Sequence, residues 1–178
     1  FNLWIIITFG IMFIIGIIDD LLEVKPIIKL LSQVFCAFIL INNGYQFGAG
    51  QLEWLGIILT FFWVIGITNS INLLDNMDGL AAGITAIITL FSTILSYISS
   101  DFSTAIISLI LFGSTLGFIK YNFNPAKIFM GDAGSLFLGY TLSYLSLSIQ
   151  KNANSSSLLL LLLLPLTLMA IPIFDTTL

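Results

Sequence analysis

The residues best suited to chemistry in this chain are acidic and amide side chains at the ends of apolar segments. The first group is the pair Asp19 and Asp20, followed by Pro26 and Lys29. Adjacent helical residues point about 100° apart, so we expect the two carboxylates to face different partners. Pro26 suits a first helical turn, which places Lys29 where its charge is unfavourable unless it binds an anion. Alternatively, the aspartates only end a helix and Lys29 extends to the membrane interface.

A second group follows a strict three-residue spacing: Asn69, Asn72, Asp75 and Asp78, then Gly79. Side chains three apart are neighbours on a helix, and a tighter final turn would align them further. Asn carbonyls and Asp carboxylates are both hard oxygen ligands, and a glycine lets the backbone approach a ligand closely. The spacing therefore predicts a ligand site at a helix end, with a polar, turn-rich loop as the alternative.

The third group lies in the segment YNFNPAKIFMGDAGS, which carries Asn122, Phe129 and Asp132. Gly131 and Gly134 would let backbone amides face a phosphate or a hydrated metal at a helix start. Phe129 would stack on a planar base, unless it is an ordinary core aromatic. Asp132 has two interpretations: a metal ligand, or a side chain that only caps the following helix.

The composition of the chain excludes several classes of protein. Of the 178 residues, 58% are hydrophobic and only 8% are charged, whereas soluble domains are about a quarter charged. So few charges cannot cover a soluble surface, and the chain is predicted to be an integral membrane protein. All five basic residues are lysines and the net charge is −4, which argues against a nucleic-acid partner.

Apolar segments separated by polar breaks predict an all-α, polytopic membrane helix bundle with about seven transmembrane helices. The predicted spans are Phe1 to Ile18, Ile27 to Ile41, Leu52 to Ile67, Leu80 to Ile98, Phe102 to Ile119, Ser135 to Ile149, and Leu158 to Leu178. No break between them is long enough for an extramembrane domain, so residues 1–178 are expected to form a single transmembrane domain.

Numbering the breaks in order assigns them to alternate sides of the membrane. Four lysines fall on one side and only Lys151 on the other, so the positive-inside rule makes the lysine-rich side cytoplasmic. Most carboxylates lie on that same side, more than topology requires, since acidic residues contribute little to orientation. They are Asp19, Asp20, Glu23, Asp75, Asp78, Asp132 and Asp175.

This asymmetry predicts a functional site at the cytoplasmic ends of the spans. Carboxylates with lysine and asparagine nearby suit a hard cation such as Mg²⁺, or Mn²⁺ in its place, and a phosphorylated substrate. For any single acid a solvated loop is the simpler explanation, whereas for three loops together a site is favoured. The chain contains no histidine, so no histidine base or ligand exists within it.

The three motifs together resemble the polyprenyl-phosphate N-acetylhexosamine-1-phosphate transferase family of multispanning membrane enzymes. The segment GIIDDLLEVKPIIKLLSQ is similar to the family's Asp-Asp motif followed by Lys-Leu-x-x-Gln. NSINLLDNMDGLAAG and YNFNPAKIFMGDAGSLFLG are similar to its Asn-x-x-Asn-x-x-Asp-x-x-Asp-Gly-Leu-Ala and Pro-Ala-x-x-Phe-Met-Gly-Asp-x-Gly-Ser motifs. Family members have further spans before this region and a His-containing cytoplasmic loop after it, so we expect the chain to be a fragment of the catalytic domain.

The resemblance implies an Mg²⁺-dependent transfer of N-acetylhexosamine 1-phosphate from a UDP-sugar to polyprenyl (undecaprenyl) phosphate. The products would be a polyprenyl-diphospho-sugar and UMP, and the step would initiate cell-wall or surface polysaccharide synthesis. The implied residues are Asp19, Asp20, Asp75 and Lys29 as catalytic, Asp132 and Asn72 as metal ligands, and Asn69, Asp78, Gly79, Asn122 and Phe129 as substrate-binding. The implied location is a bacterial plasma membrane, multi-pass, with the active site facing the cytoplasm and a homodimer as a candidate assembly.

Two functions of other classes stay open. An ion-coupled transporter would also use acids within a membrane, but transporters often show internal repeats and acids near mid-span. This chain shows no repeat, and its acids lie at span ends. The other alternative is a catalytically inactive scaffold, since the regions that the family carries on both sides are absent from the chain.

Overall fold

The computed structural model describes residues 3–48 and 53–152, which form six α-helices. The helices are Leu3–Leu22 (α1), Pro26–Asn42 (α2), Glu53–Leu74 (α3), Leu80–Ile98 (α4), Phe102–Asn122 (α5) and Gly131–Asn152 (α6). Each of the first six predicted spans corresponds to one of these helices, so the all-α prediction is confirmed. The seventh predicted span, 158–178, lies outside the described residues.

Length and composition make four of the described helices, α1, α3, α4 and α5, able to cross a membrane. Helix α2 is apolar but has only 17 residues, and α6 is long but richer in polar side chains. The chain is a polytopic helical membrane protein, whereas the number of seven spans stays a prediction.

Two helices extend further than the apolar segments that predicted them. Helix α1 continues to Leu22 and carries Asp19 and Asp20, and α3 continues to Leu74 and carries Asn69 and Asn72. These polar residues remain helical because their side chains have partners on other helices, as described below. Asp75 and Asp78 fall in the turn that precedes α4, so the three-residue spacing follows one helix only over its first half.

Helix α6 is the central element of the bundle and packs against α1, α3, α4 and α5. Its residues are buried without interruption from Leu138 to Gln150, which removes them from lipid and explains why the helix tolerates polar side chains. Trp63 of α3 donates a hydrogen bond of 2.8 Å to the Ser146 hydroxyl. The hydroxyls of Thr104 and Ser148 lie 2.7 Å apart. Hydroxyl contacts of this kind are typical of helix association in membranes.

Small residues set how closely α6 approaches its neighbours. A Cβ atom added at Gly139 would lie 2.7 Å from the Thr68 Cα atom of α3. Near the start of α6, Gly16 of α1 leaves equally little room against the backbone of Ala133. Close backbone approach at small residues is a main source of packing in membrane bundles, because lipid and protein are equally apolar. The position of α6 therefore depends on glycines of α1 and of α6 itself.

We expect Gly139→Ala to lower the stability of the protein by about 1–3 kcal/mol, the usual cost of overpacking. The matched control is Gly117→Ala in α5, where an added Cβ atom meets no other atom within 4 Å. The control should be neutral or slightly stabilising, since alanine favours the helix. The measurement is the thermal unfolding midpoint of the purified protein in detergent. Equal midpoints for the two variants would contradict the close packing of α6 on α3.

The helix connections bring all three motifs to one end of the bundle. The C-terminal ends of α1, α3 and α5 and the N-terminal ends of α2, α4 and α6 meet there through side-chain contacts. This convergence is what the alternation of the polar breaks predicted.

Candidate active site

The centre of the site is an ion pair between α1 and α2 that reaches α6. The Lys29 ammonium lies 2.5 Å from Asp19 Oδ2 and 3.5 Å from Asp132 Oδ2. The other oxygen of Asp19 accepts a 2.7 Å hydrogen bond from the Val24 backbone. Asp19 is only 6% exposed, so its charge depends on these partners. The anion expected near Lys29 is thus provided, within the described residues, by two carboxylates.

Asn72 of α3 joins this group through its amide nitrogen. That nitrogen donates hydrogen bonds to Asp132 Oδ1 and, at 2.8 Å, to the Ser135 hydroxyl. Asn72 therefore orients the Asp132 carboxylate, and its carbonyl oxygen is the atom that would serve a cation. The sequence motifs include Ser135 but assign it no role. Ser135 lies one helical turn after Asp132, and this spacing could have predicted that both side chains contact the same residue.

Asp20 faces away from Asp19, as the helical geometry predicted, and meets the start of α6. Its two carboxylate oxygens accept hydrogen bonds from the backbone N–H groups of Asp132, at 2.7 Å, and Ala133, at 3.0 Å. The prediction that these amides face a phosphate or a metal is wrong, because Asp20 already occupies them. The alternative that Asp132 caps α6 is also wrong, because Asp132 lies within the first turn of the helix and its side chain meets Lys29 and Asn72.

Asp75 lies just beyond α3, beside the same carboxylates. Its pKa is raised to about 6, first by burial and then by the charges of Asp132 and Asp20, against a hydrogen bond from the Gly131 backbone that lowers it. Part of this rise comes from repulsion, because the carboxylates of Asp75, Asp132 and Asp20 lie near one another. Four carboxylates and one ammonium leave a formal excess of negative charge that a bound cation would relieve.

A second set of contacts holds the loop between α5 and α6 against the start of α4. Asn122 is buried; its side chain accepts from the Gly79 N–H at 3.0 Å and donates to the Ile128 carbonyl at 3.0 Å. Gly79 has a φ of +75°, a conformation that glycine adopts without strain. These roles are structural, and whether Gly79 and Asn122 also contact substrate stays a prediction.

Two further predicted residues, Asp78 and Phe129, lie in or against the loop between α5 and α6. Asp78 accepts hydrogen bonds from the Asn124 amide at 3.3 Å and the Ala126 backbone at 3.0 Å, which ties the same loop to the turn before α4. Phe129 is 78% exposed, so it is not the core aromatic of the alternative interpretation. Its exposed ring is consistent with contact to a planar base.

We expect Asn122→Ala to destabilise the protein by about 1–3 kcal/mol, because it removes the partners of two backbone groups. The control is Lys127→Ala, an exposed side chain of the same loop, whose effect should stay within about 0.5 kcal/mol. Thermal unfolding in detergent measures both. A midpoint for Asn122→Ala equal to that of the control would show that the loop is held by other contacts.

Asn69 pairs with Gln33, a residue of the first motif to which the sequence pattern assigned no role. Asn69 and Gln33 exchange two amide hydrogen bonds, of 3.1 and 3.2 Å, between α3 and α2. A buried glutamine in an apolar span requires such a partner, which is the signal that could have identified it. A cavity of about 380 Å³ adjoins this pair, and its lining is Pro26, Ile27, Lys29, Leu30, Gln33 and Asn69.

The donor groups of the site are the oxygen atoms of carboxylates and of an amide, which are ligands that suit Mg²⁺. Within residues 3–48 and 53–152, no cluster of three or more His, Cys, Asp or Glu side chains stands at metal-ligand spacing. Mg²⁺ usually takes one or two protein carboxylates and completes its shell with water and substrate phosphates. Asp132, with the carbonyl of Asn72 and the nearby Asp75, fits this kind of partial, oxygen-only site.

Comparison with known sequences decides the family. The sequence profile of glycosyl transferase family 4 matches residues 2–150. The chain belongs to this family. The match covers all three motifs and five of the six helices completely, so the site described above lies inside the family region.

Relatives of this glycosyl transferase family 4 chain carry names that describe the transfer of phosphorylated sugars. A Bacillus subtilis protein named as a probable undecaprenyl-phosphate N-acetylglucosaminyl 1-phosphate transferase is 39% identical over 96% of this chain and 50% of its own length. A phospho-N-acetylmuramoyl-pentapeptide-transferase of Limosilactobacillus reuteri is 34% identical over 82% of this chain and 50% of its own length. The chain thus spans about half the length of these relatives.

Proposed function

We propose that the whole protein transfers N-acetylhexosamine 1-phosphate from a UDP-sugar to polyprenyl (undecaprenyl) phosphate, and so initiates cell-wall or surface polysaccharide synthesis. The observation that carries the proposal is the meeting of Asp19, Lys29, Asn72 and Asp132, with Asp75 beside them, at one end of a membrane bundle. A lipid phosphate stays at the membrane interface and a nucleotide arrives from water. Their reaction therefore requires a charged site at the ends of spans.

In this reaction an oxygen of the lipid phosphate forms a bond to the β-phosphorus of the UDP-sugar. The bond from that phosphorus to the bridging oxygen breaks, and UMP leaves with the oxygen. Lys29 neutralises a phosphate, and Asp19 positions or deprotonates the lipid phosphate. Because the second pKa of a phosphate monoester is about 6, little general-base catalysis is needed near neutral pH.

Asp132, with Asn72 as the second ligand, is the proposed holder of Mg²⁺, with Mn²⁺ as a substitute. The cation would neutralise the phosphate charges that converge in the transition state. Asp75 lies near it and adds negative charge. In this proposal five residues shape the pocket for the UDP-sugar. Four of them act mainly by holding the surrounding backbone in place, and they are Asn69, Asp78, Gly79 and Asn122. The fifth, Phe129, presents its exposed ring to the nucleotide.

The proposal also fixes the setting of the site. We place the protein in a bacterial plasma membrane with the site facing the cytoplasm, since four of the five lysines lie on that side. The chain is then part of a single transmembrane catalytic domain with seven spans in residues 1–178. A homodimer stays a candidate assembly, which the mass of the purified complex in detergent would test.

The experiment is UMP release by the complete gene product in membranes. Polyprenyl phosphate and a panel of UDP-N-acetylhexosamines are supplied, with Mg²⁺ or with EDTA. The proposal predicts release that requires both the lipid and the cation. An ion-coupled transporter would instead move ions or solute across sealed vesicles without consuming nucleotide, and a scaffold would do neither. Absence of UMP release from folded protein with every donor would reject the transferase.

A further inference from the structure

Asp20 contacts the N-terminal backbone of α6, which its neighbour Asp19 does not do. Both oxygens of Asp20 accept backbone N–H groups, those of Asp132 and Ala133, across 112 and 113 residues of sequence. The first N–H groups of any helix lack partners within it, and a carboxylate there satisfies them and favours the helix dipole. Asp20 therefore caps α6 from another helix.

The local backbone of α6 is shaped to receive this carboxylate. Gly131 has a φ of +67°, and a Cβ atom added to it would lie 2.9 Å from each oxygen of Asp20. The close approach of Gly16 to Ala133 docks the same turn against α1. A side chain at position 131 would thus both strain the backbone and displace the cap.

The cap acts on Asp132, the proposed ligand of the cation. Asp132 occupies the first turn of α6, and its N–H is one of the two groups that Asp20 holds. Fixing that N–H fixes the Cα atom, and with it the direction in which the carboxylate meets Lys29 and Asn72. A misplacement of one ångström is enough to weaken a site of this kind.

We propose that Asp20 is a positioning residue, which holds Asp132 for the cation, and that it is not a catalytic residue. This inference rests on the proposed function, and it revises the role that the Asp-Asp motif implied for Asp20. Both oxygens of Asp20 accept backbone amides of α6, whereas Asp19 accepts the Val24 amide with one oxygen and pairs with the Lys29 ammonium through the other. The adjacent carboxylates of the motif thus do different work, Asp19 at the reacting phosphate and Asp20 at the start of α6.

The test compares two variants that damage the cap from opposite sides. Asp20→Asn replaces one accepting oxygen by an amide nitrogen, and Gly131→Ala crowds the carboxylate without removing it. The matched controls are Asp101→Asn, which removes a carboxylate that caps α5, and Gly44→Ala, at a glycine with a φ of +77°. Both controls lie at the opposite end of the bundle.

Two measurements are made on the complete gene product in detergent. The first is Mn²⁺ binding without substrate, followed by electron paramagnetic resonance. The second is the Mg²⁺ concentration that gives half-maximal UMP release. We expect both cap variants to weaken cation binding about 10–100-fold, the usual effect of losing a supporting partner. At saturating Mg²⁺ the maximal rates of both cap variants should return to within about threefold of wild type. The double variant, Asp20→Asn with Gly131→Ala, should bind the cation no more weakly than the single variant of lower affinity.

The controls should lower thermal stability without changing cation binding. If Asp20→Asn keeps wild-type Mn²⁺ binding but loses UMP release at every Mg²⁺ concentration, Asp20 is catalytic and the inference is overturned. The inference is also overturned if Gly131→Ala folds and binds Mn²⁺ as wild type does, because the cap would then not position Asp132 for the cation. If wild-type protein binds Mn²⁺ but releases no UMP with any donor, the proposed function fails while the comparison of Mn²⁺ binding still decides the role of Asp20.

Discussion

Asp132→Asn in the complete gene product is expected to lower UMP release at least about 100-fold. Loss of a partner that only supports a metal ligand costs about 10–100-fold, so loss of a ligand itself should reach or exceed the upper end. The variant keeps the shape of the side chain and the two backbone contacts with Asp20. The measurement is the initial rate of UMP release at saturating Mg²⁺.

The control for this prediction is Glu53→Gln, the same change from carboxylate to amide at the opposite end of the bundle. Glu53 is exposed and begins α3. Its variant should release UMP at the wild-type rate. A folded Asp132→Asn protein with a rate near wild type would contradict the assignment of Asp132 to the cation.

Lys29→Met should cost both stability and activity. The change leaves the buried Asp19 carboxylate without the ammonium that lies 2.5 Å away. Breaking a fully buried pair costs about 3–5 kcal/mol, but 23% of the Lys29 side chain is exposed, so we expect about 1–3 kcal/mol. UMP release should fall about 100-fold or more, the scale for loss of one charge-stabilising group. Thermal unfolding and the UMP assay measure the two effects separately.

The double variant Asp19→Asn with Lys29→Met separates structure from chemistry. Removing both charges leaves no buried carboxylate without a partner, so most of the lost stability should return. Activity should not return, since neither group can then act on a phosphate. Recovery of UMP release together with stability would show that the ion pair is only structural.

The meeting of the three motifs could be predicted from the sequence, because it depends on a coarse property. That property is the alternation of polar breaks along an apolar chain. That alternation requires the Asp-Asp pair, the segment from Asn69 to Gly79 and the segment around Asp132 to meet at one side of a membrane. The separation of Asp19 from Asp20 also followed from helical geometry alone. The contacts of these residues confirm that the three segments meet at one end of the bundle and that Asp19 and Asp20 have different partners.

Partners distant in sequence could not be predicted. The cap of α6 is a carboxylate 112 residues earlier in the chain, and local pattern gave the capping role to Asp132 itself. The end of α3 was predicted only in part: the helix includes Asn69 and Asn72, whose side chains bond to Gln33 and to Asp132, but it ends at Leu74, before Asp75 and Asp78. Such ends depend on tertiary contacts, which a periodic pattern does not contain.

The most direct test of the central claim follows the β-phosphorus of the donor. The complete gene product is given polyprenyl phosphate, Mg²⁺ and a panel of UDP-N-acetylhexosamines, each radiolabelled at that phosphorus. Transfer of sugar 1-phosphate predicts that the label enters the lipid fraction while unlabelled UMP is released. Label that stays in water-soluble UDP while the sugar moves to lipid, or label that never leaves the donor, would contradict it.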